Sequence, residues 1–127
     1  MDGRLDYVWG ENEELHDPLP LMPPARAVFG ATLQRENLRW AARAAIGMHC
    51  ELVAAQKRLS QFDTPTDSYA LLHLDARWAR HWAGRDIQVG LVVRNLANVS
   101  YRDYLSRYKE FALDQGRNVL VRVSTGL

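Results

Sequence analysis

The sequence predicts an all-β protein of about six antiparallel strands that follow one another in an up-and-down meander. Apolar and polar residues alternate with a period of two in six segments, as in strands that bury one face. The connections between these segments alternate between short and long. The last segment, "GRNVLVRVSTGL", keeps its alternation to the final residue, Leu127.

The first two predicted strands cover residues 4–11 and 25–35. In the first, Leu5, Tyr7 and Trp9 share one face. In the second, apolar residues at odd positions alternate with mostly polar residues at even positions. Both segments therefore favour a strand with one apolar face.

The third predicted strand begins near Leu38, and its even positions up to Cys50 are all apolar. The same segment is rich in helix-forming residues, and Asn37 could cap a helix at its start. A helix over 38–57 would leave the neighbouring strands without partners. A strand is therefore predicted, and a mixed α/β module with a helix at 38–57 stays an alternative.

The last three predicted strands run over 68–82, 85–96 and from Arg117 to the end. Trp78 and Trp82 share the apolar face of the fourth strand, and Trp40 lies on the apolar face of the third. These three side chains lie near the short connections, where an interfacial aromatic girdle is expected. Arg80 interrupts this face and is expected to extend its guanidinium to a head-group region.

The order of the connections indicates a membrane barrel. Short links are predicted at 36–37 and 83–84, and long links at 11–24, 57–67 and 97–116. Outer-membrane barrels alternate tight turns with long outer loops in this way. The sheet is therefore expected to belong to a transmembrane β-barrel. In a closed barrel the last strand must pair with the first. The apolar–polar alternation is therefore expected to continue to the end of the chain.

Composition and motif content limit the classes of function that the chain can have. The chain has 127 residues, 47% of them hydrophobic, and a net charge of +1, which indicates one domain and no nucleic-acid partner. Cys50 is the single cysteine, which argues against a disulfide framework or a cysteine zinc site. No export signal and no helical membrane span are visible. No nucleophile elbow, phosphate loop or zinc-protease motif is present, so no enzyme activity is expected.

Histidines and carboxylates on two neighbouring predicted strands form one candidate metal site. His49 and Glu51 share the polar face of the third strand, and His73 and Asp75 share that of the fourth. If the intervening loop closes symmetrically about residue 62, His49 faces Asp75 and Glu51 faces His73. Imidazole and carboxylate groups in such a cluster could hold Zn²⁺ or Cu²⁺. The alternative is the ordinary charged lining of a barrel.

The remaining polar features are expected to be structural. His16 and His81 are predicted to be solvated, and Cys50 to be a lipid-facing or packed thiol. The charged run "YRDYLSRYKEF" is predicted to be a solvated outer loop, although it could instead fold over a pore mouth. The prolines of "LPLMPP" indicate an extended loop.

Three stretches resemble the C-terminal end of TonB-dependent outer-membrane receptors: "VVRNLANVSYRDYLSRYKEFALDQGRNVLVRV", "LPLMPPAR" and "QFDTPTDSYALLHLDARW". The most specific residues are a turn motif and the start of the final strand. They are Asn95, Leu96, Asn98, Tyr101, Gly116, Arg117 and Asn118. Asn95, Asn98 and Gly116 to Asn118 are expected to anchor turns and loops, not to contact substrate.

The resemblance implies a barrel of about 22 strands around a plug domain, and the sheet is then expected to be the last part of this large transmembrane β-barrel, incomplete in this chain. It implies partners: outer-membrane lipid, the TonB complex acting through an N-terminal portion missing here, and a metal ion or siderophore-like metal chelate as substrate. The stretch "DTPTDSY" resembles the zinc and copper branch, so zinc or copper is expected only as a transported ligand, with no resident cofactor. The chain is expected to be a receptor fragment of the outer membrane, without plug domain or signal peptide, that does not function alone. A soluble all-β ligand- or protein-binding domain is the alternative.

Overall fold

The fold is known from a computed structural model, which describes residues 1–13, 17–61 and 63–126. The eight strands are β1 (Asp2–Asp6), β2 (Glu11–Asn12), β3 (Asp17–Pro18), β4 (Arg26–Leu38), β5 (Ala41–Val53), β6 (Tyr69–Trp82), β7 (Arg85–Arg94) and β8 (Asn118–Gly126). Six of them form one antiparallel sheet in the order β1-β4-β5-β6-β7-β8, and β2 and β3 form a small separate pair. The predicted all-β meander is therefore confirmed. The described residues contain no helix, hence none with the length and apolar character needed to cross a membrane.

The sheet has two chemically different faces. On the apolar face, β5 to β8 carry residues such as Ile46, Leu91, Val121 and Val123. On the polar face, which includes His49, the same strands carry histidine, carboxylate, arginine and amide groups. Most of the apolar face is open to its surroundings. This division follows from the two-residue period of a strand.

The third predicted strand is a strand. β5 pairs with β4 along one edge and with β6 along the other, so its backbone hydrogen bonds are made on both sides. The helix alternative for 38–57 is therefore wrong. Tertiary pairing overrides the helix propensity of this alanine-rich segment because propensity differences amount to less than about 1 kcal/mol per residue.

One short turn lies where the sequence predicts it, and the other is displaced. Ala83 and Gly84 have φ values of 51° and 75°, as a tight two-residue hairpin turn requires. The predicted turn at 36–37 is wrong, because β4 continues to Leu38 and the chain reverses at 39–40. Asn37 adopts a left-handed φ of 55° within the strand, which asparagine tolerates better than most residues.

The first strand is shorter than predicted. β1 ends at Asp6, so Tyr7 and Trp9 lie beyond it. The guanidinium of Arg58 lies 3.3 Å from the centre of the Trp9 ring, a cation–π contact between two connecting segments. At the other end of the chain, β8 alternates as predicted up to Gly126, and Leu127 lies outside the described residues.

Most of the buried residues lie where the long connections meet the sheet. We call the segments 19–25, 54–61, 63–67 and 96–117 the loop cap. Met22 and Tyr104 of the loop cap are buried, as are Val53, Leu71 and Val93 at the adjoining ends of β5, β6 and β7. This end of the sheet is the long-loop end, and the opposite end, with turns 39–40 and 83–84, is the short-turn end.

Candidate functional site

The candidate metal residues lie together on the polar face, in a register that differs from the predicted one. His49 pairs directly with His73, and Asp75 pairs with Gly47. The predicted direct pairings, His49 with Asp75 and Glu51 with His73, are therefore wrong, because the register between β5 and β6 is shifted by two residues. The isolated bridge between Gln56 and Thr66 shows why: the loop is symmetric about residue 61 and not residue 62.

The predicted side-chain pairs nevertheless form diagonally. The Nδ1 atom of His49 lies 3.4 Å from Oδ1 of Asp75, and Nε2 of His73 lies 3.8 Å from Oε2 of Glu51. Diagonal neighbours in an antiparallel pair are within reach of long side chains. Each imidazole therefore has one carboxylate neighbour.

A glycine makes room for Asp75. A Cβ atom at Gly47 would lie 2.5 Å from Oδ1 of Asp75. Gly30 does the same for His49, where a Cβ atom would lie 2.5 Å from Cδ2 of the ring. The two glycines let the histidine and the carboxylate lie flat across the neighbouring strand, close to each other.

His73 is held in a defined orientation. Its Nδ1 atom accepts a hydrogen bond of 3.3 Å from the backbone N–H of Asn95. In a neutral ring the proton is then on Nε2, which faces Glu51. Buried Nε2 of His73 and Oδ2 of Asp75 have no hydrogen-bond partner among the described residues. No three metal-binding side chains converge within residues 1–13, 17–61 and 63–126, so these four groups form two pairs and not one coordination sphere.

An ion-pair network that the sequence did not predict connects these pairs to the loop cap. The Nε atom of Arg26 lies 3.4 Å from Glu51, and its Nη2 atom lies 3.3 Å from Asp103. The Tyr69 hydroxyl donates a hydrogen bond of 3.1 Å to the same Asp103 carboxylate. Arg26 and Asp103 are 77 positions apart, so local sequence patterns could not reveal the contact.

The motif residues of the last long connection lie at its two ends. The Asn95 side chain donates to the carbonyls of Val99 and Gln115 at 2.8 and 3.5 Å, and its Oδ1 accepts from the Val99 N–H at 2.8 Å. Oδ1 of Asn98 accepts from the Arg117 N–H at 2.8 Å. These bonds join the start of the connection to its end.

The other motif residues have separate positions. A Cβ atom at Gly116 would lie 2.9 Å from Oδ1 of Asn98, so a side chain there would disturb that bond. The Tyr101 ring lies 4.5 Å from that of Tyr69, and Asn118 is the first residue of β8.

The charged run 101–111 is not a freely solvated loop. Tyr104 is 1% exposed, and the side chains of Lys109 and Asp63 are each 9% exposed. The ammonium of Lys109 lies 3.9 Å from Asp63 and 3.9 Å from the Tyr104 ring centre. The solvated-loop prediction fits the exposed residues of the run, such as Tyr108 and Phe111, but not Tyr104 and Lys109, which are buried by contacts with the preceding long connection.

Asp63 is the centre of the loop cap. Its Oδ2 atom accepts hydrogen bonds from the Leu21 N–H at 3.1 Å and the Ser60 hydroxyl at 3.0 Å. Burial raises the pKa of Asp63, but these hydrogen bonds and the Lys109 charge lower it more, so the net pKa lies below 3.8. Gln56 adds a bond of 2.6 Å to the Met22 carbonyl.

We expect the loop cap to loosen in acid. A carboxyl whose folded-state pKa is depressed contributes stability that is present above its unfolded value of about 3.8. This contribution is lost as the pH falls through the folded-state value. Pepsin cleavage within the loop cap should therefore accelerate below about pH 4. The Asp63→Asn variant should lack this acid step, whereas exposed Asp67→Asn should retain it; an identical acid profile in all three proteins would contradict the prediction.

The remaining predicted residues are dispersed. His81 lies 2.9 Å from Asp86 at the short-turn end, where both side chains are exposed. Cys50 is a half-buried free thiol in β5, and His16 lies outside the described residues. Trp40 and Trp82 are exposed, and Nε1 of Trp78 donates to the Trp40 carbonyl at 3.3 Å.

No protein-family model matches this chain, and no curated protein matches its sequence. The chain is similar to a solved structure of the copper transporter OprC, with a TM-score of 0.77 and 22% identity over 95% of this chain. The chain spans 20% of the length of that transporter. The likeness establishes a shared fold, and the solved neighbour is a transporter and not an enzyme.

Proposed function

We propose that this chain forms the last strands of a TonB-dependent outer-membrane receptor that takes up a metal ion or a metal chelate. The observation that carries the proposal is the match of 95% of the chain to part of a copper transporter at a TM-score of 0.77. Copper or zinc is the proposed transported metal. The TonB complex would act through a part of the receptor outside the six-stranded sheet.

The distribution of exposed apolar residues supports a lipid partner. Phe29, Leu33, Ile46, Val121 and Val123 are all at least half exposed on the apolar face. Soluble monomers rarely expose so continuous an apolar surface. A soluble binding domain would have to cover this face with a second layer, and the described residues supply none there. Lipid hydrocarbon would cover it directly.

The polar face supports a path for the transported metal. We propose that His49, Glu51, His73 and Asp75 meet the metal in passing and do not store it. Two separate imidazole–carboxylate pairs offer few ligands at once, which favours weak and reversible contacts. We expect the Asp75 carboxylate to contact it first, and Nε2 of His73 to bind it only after giving up its proton, with the Glu51 carboxylate 3.8 Å away as the acceptor.

Partition of the purified chain between water and detergent micelles, with far-ultraviolet circular dichroism in both, tests the membrane assignment. We expect β-signal in micelles and aggregation or disorder in water, because the apolar face needs cover. Cooperative folding as a monomer in water would refute the assignment. Detection in the outer-membrane fraction of the source cells is the accompanying measurement.

Metal uptake tests the transport role. Deleting the coding sequence should lower the copper or zinc content of cells grown at limiting metal, measured by mass spectrometry. In cells complemented with His49→Ala plus His73→Ala, uptake should fall several-fold, whereas exposed His81→Ala should behave as wild type. Unchanged metal content after deletion would remove the transport proposal.

A further inference from the structure

The apolar face contains a hollow near the short-turn end. It encloses about 410 Å³. Its apolar lining comprises Leu33, Leu38, Trp40, Ala44, Ala45, Ile46, Ala76, Trp78, Val89 and Leu91. Two arginines complete the lining: Arg35, and Arg77, which lies 3.7 Å from the Asp75 carboxylate of the polar face. An unbranched hydrocarbon chain is the kind of group such a surface can take.

The strand register explains why the hollow exists. Ala44 pairs with Trp78, and Ala76 pairs with Ile46. The two alanines are diagonal neighbours, so a small residue is flanked by large side chains in two successive rows. Their methyl groups form the floor, and the large side chains form the walls. The shape is therefore a consequence of which residues the pairing brings together.

Arginines are the charged residues on this part of the apolar face. Arg35 lines the hollow and lies two positions after Leu33 on the same face of β4. Arg80 follows Trp78 at the same spacing in β6, and Arg85 pairs with Trp82. None of these three arginines forms an ion pair with the described residues. The described residues place no carboxylate on the apolar face of the six-stranded sheet.

An arginine without a carboxylate partner at the edge of a lipid-facing surface has a natural complement in a phosphate group. A guanidinium matches phosphate geometry and can donate two parallel hydrogen bonds. Cationic side chains close to an anionic lipid surface contribute attraction of their own. Tryptophan rings at the same level fit the head-group region.

We propose that this hollow binds one anionic phospholipid, with an acyl chain over Ala44 and Ala76 and the phosphate at Arg35 and Arg80. The inference rests on the proposed membrane function and adds a preferred lipid to it. It gives the arginines of the apolar face a role as phosphate ligands. It also gives the small residues of the hollow a role as the acyl-chain floor.

Quenching of tryptophan fluorescence by lipids with brominated acyl chains tests the proposal. The probes are brominated phosphatidylglycerol, which is anionic, and brominated phosphatidylcholine, which is zwitterionic. Each is titrated into the chain in neutral detergent micelles, in a Trp9→Phe background that removes the tryptophan in the connecting segments. We expect at least about fivefold tighter apparent binding of the anionic lipid, because each of the two arginines near the surface accounts by itself for about that factor.

Variants separate the parts of the site. Arg35→Gln plus Arg80→Gln, which removes two positive charges, should abolish the preference. Arg122→Gln, which removes one positive charge from the polar face, should retain it, and each of the single variants Arg35→Gln and Arg80→Gln should weaken it. Ala76→Leu should fill the hollow and weaken quenching by the anionic lipid without changing any charge. Circular dichroism confirms that each variant is folded.

Failure of the lipid site and failure of the proposed membrane function would give different results. Equal quenching by both lipids in the wild type, or loss of the preference in Arg122→Gln, would overturn the lipid site and leave the membrane function standing. Absence of quenching by either lipid would overturn both, because the apolar face would then not contact lipid.

Discussion

Replacing Val121 by arginine is expected to destabilise the sheet in a phospholipid bilayer by about 2–4 kcal/mol if the position lies near the midplane. Val121 lies on the apolar face of β8 and is 61% exposed. Arginine on a lipid-facing position must leave water for hydrocarbon, and the cost falls toward the interface. Urea unfolding of the chain reconstituted in vesicles measures the change.

Its neighbour supplies a matched control. Leu120 lies on the polar face of the same strand and is 50% exposed, so the two positions differ little in burial. In vesicles Leu120→Arg should stay near neutral. Equal losses for the two variants would show that the sheet has no lipid-facing side.

Replacing Asn95 by alanine is expected to cost about 2–3 kcal/mol and to release the last long connection. The side chain makes three hydrogen bonds from a position that is 2% exposed. Its φ of 48° adds to the cost, because alanine tolerates the left-handed region less well than asparagine. Trypsin cleavage at Arg102 and Arg107 should accelerate by at least about tenfold, since cleavage follows the open population.

Asn118 provides the comparison. It belongs to the same motif, but its side chain makes no hydrogen bond with the described residues. Asn118→Ala should therefore leave the cleavage rate within about twofold of the wild type. If both variants were cleaved equally fast, the loop would be held by something other than the Asn95 amide.

The alternating pattern was sufficient to predict strands β4 to β8 and their two faces, but not the end of β1 or the short β2–β3 pair. A strand presents alternate residues to opposite sides, so each apolar series, such as Val119, Val121 and Val123, identifies its own face without knowledge of any partner. The turn between β6 and β7 was equally local, because Ala83–Gly84 can adopt the left-handed φ values that a two-residue turn demands.

Register depended on contacts between distant residues. The displacement of the His49 and His73 partners by two positions arose from the centre of a single loop, and a period of two cannot distinguish such shifts because they preserve every face. The displaced turn after Asn37 has a similar origin, since pairing of Leu38 with Ala41 extends the hairpin beyond the residue that suggested a turn.

The sequence by itself determined that this chain is a two-faced antiparallel sheet with long connections at one end, because those properties follow from the order of apolar and polar residues along each strand. Only the tertiary structure decided which polar groups meet. The Arg26–Asp103 ion pair, the burial of Asp63 beside Lys109 and the alanine floor of the hollow each join residues from separate segments. Their proximity is set by strand pairing and loop packing, which no local periodicity encodes.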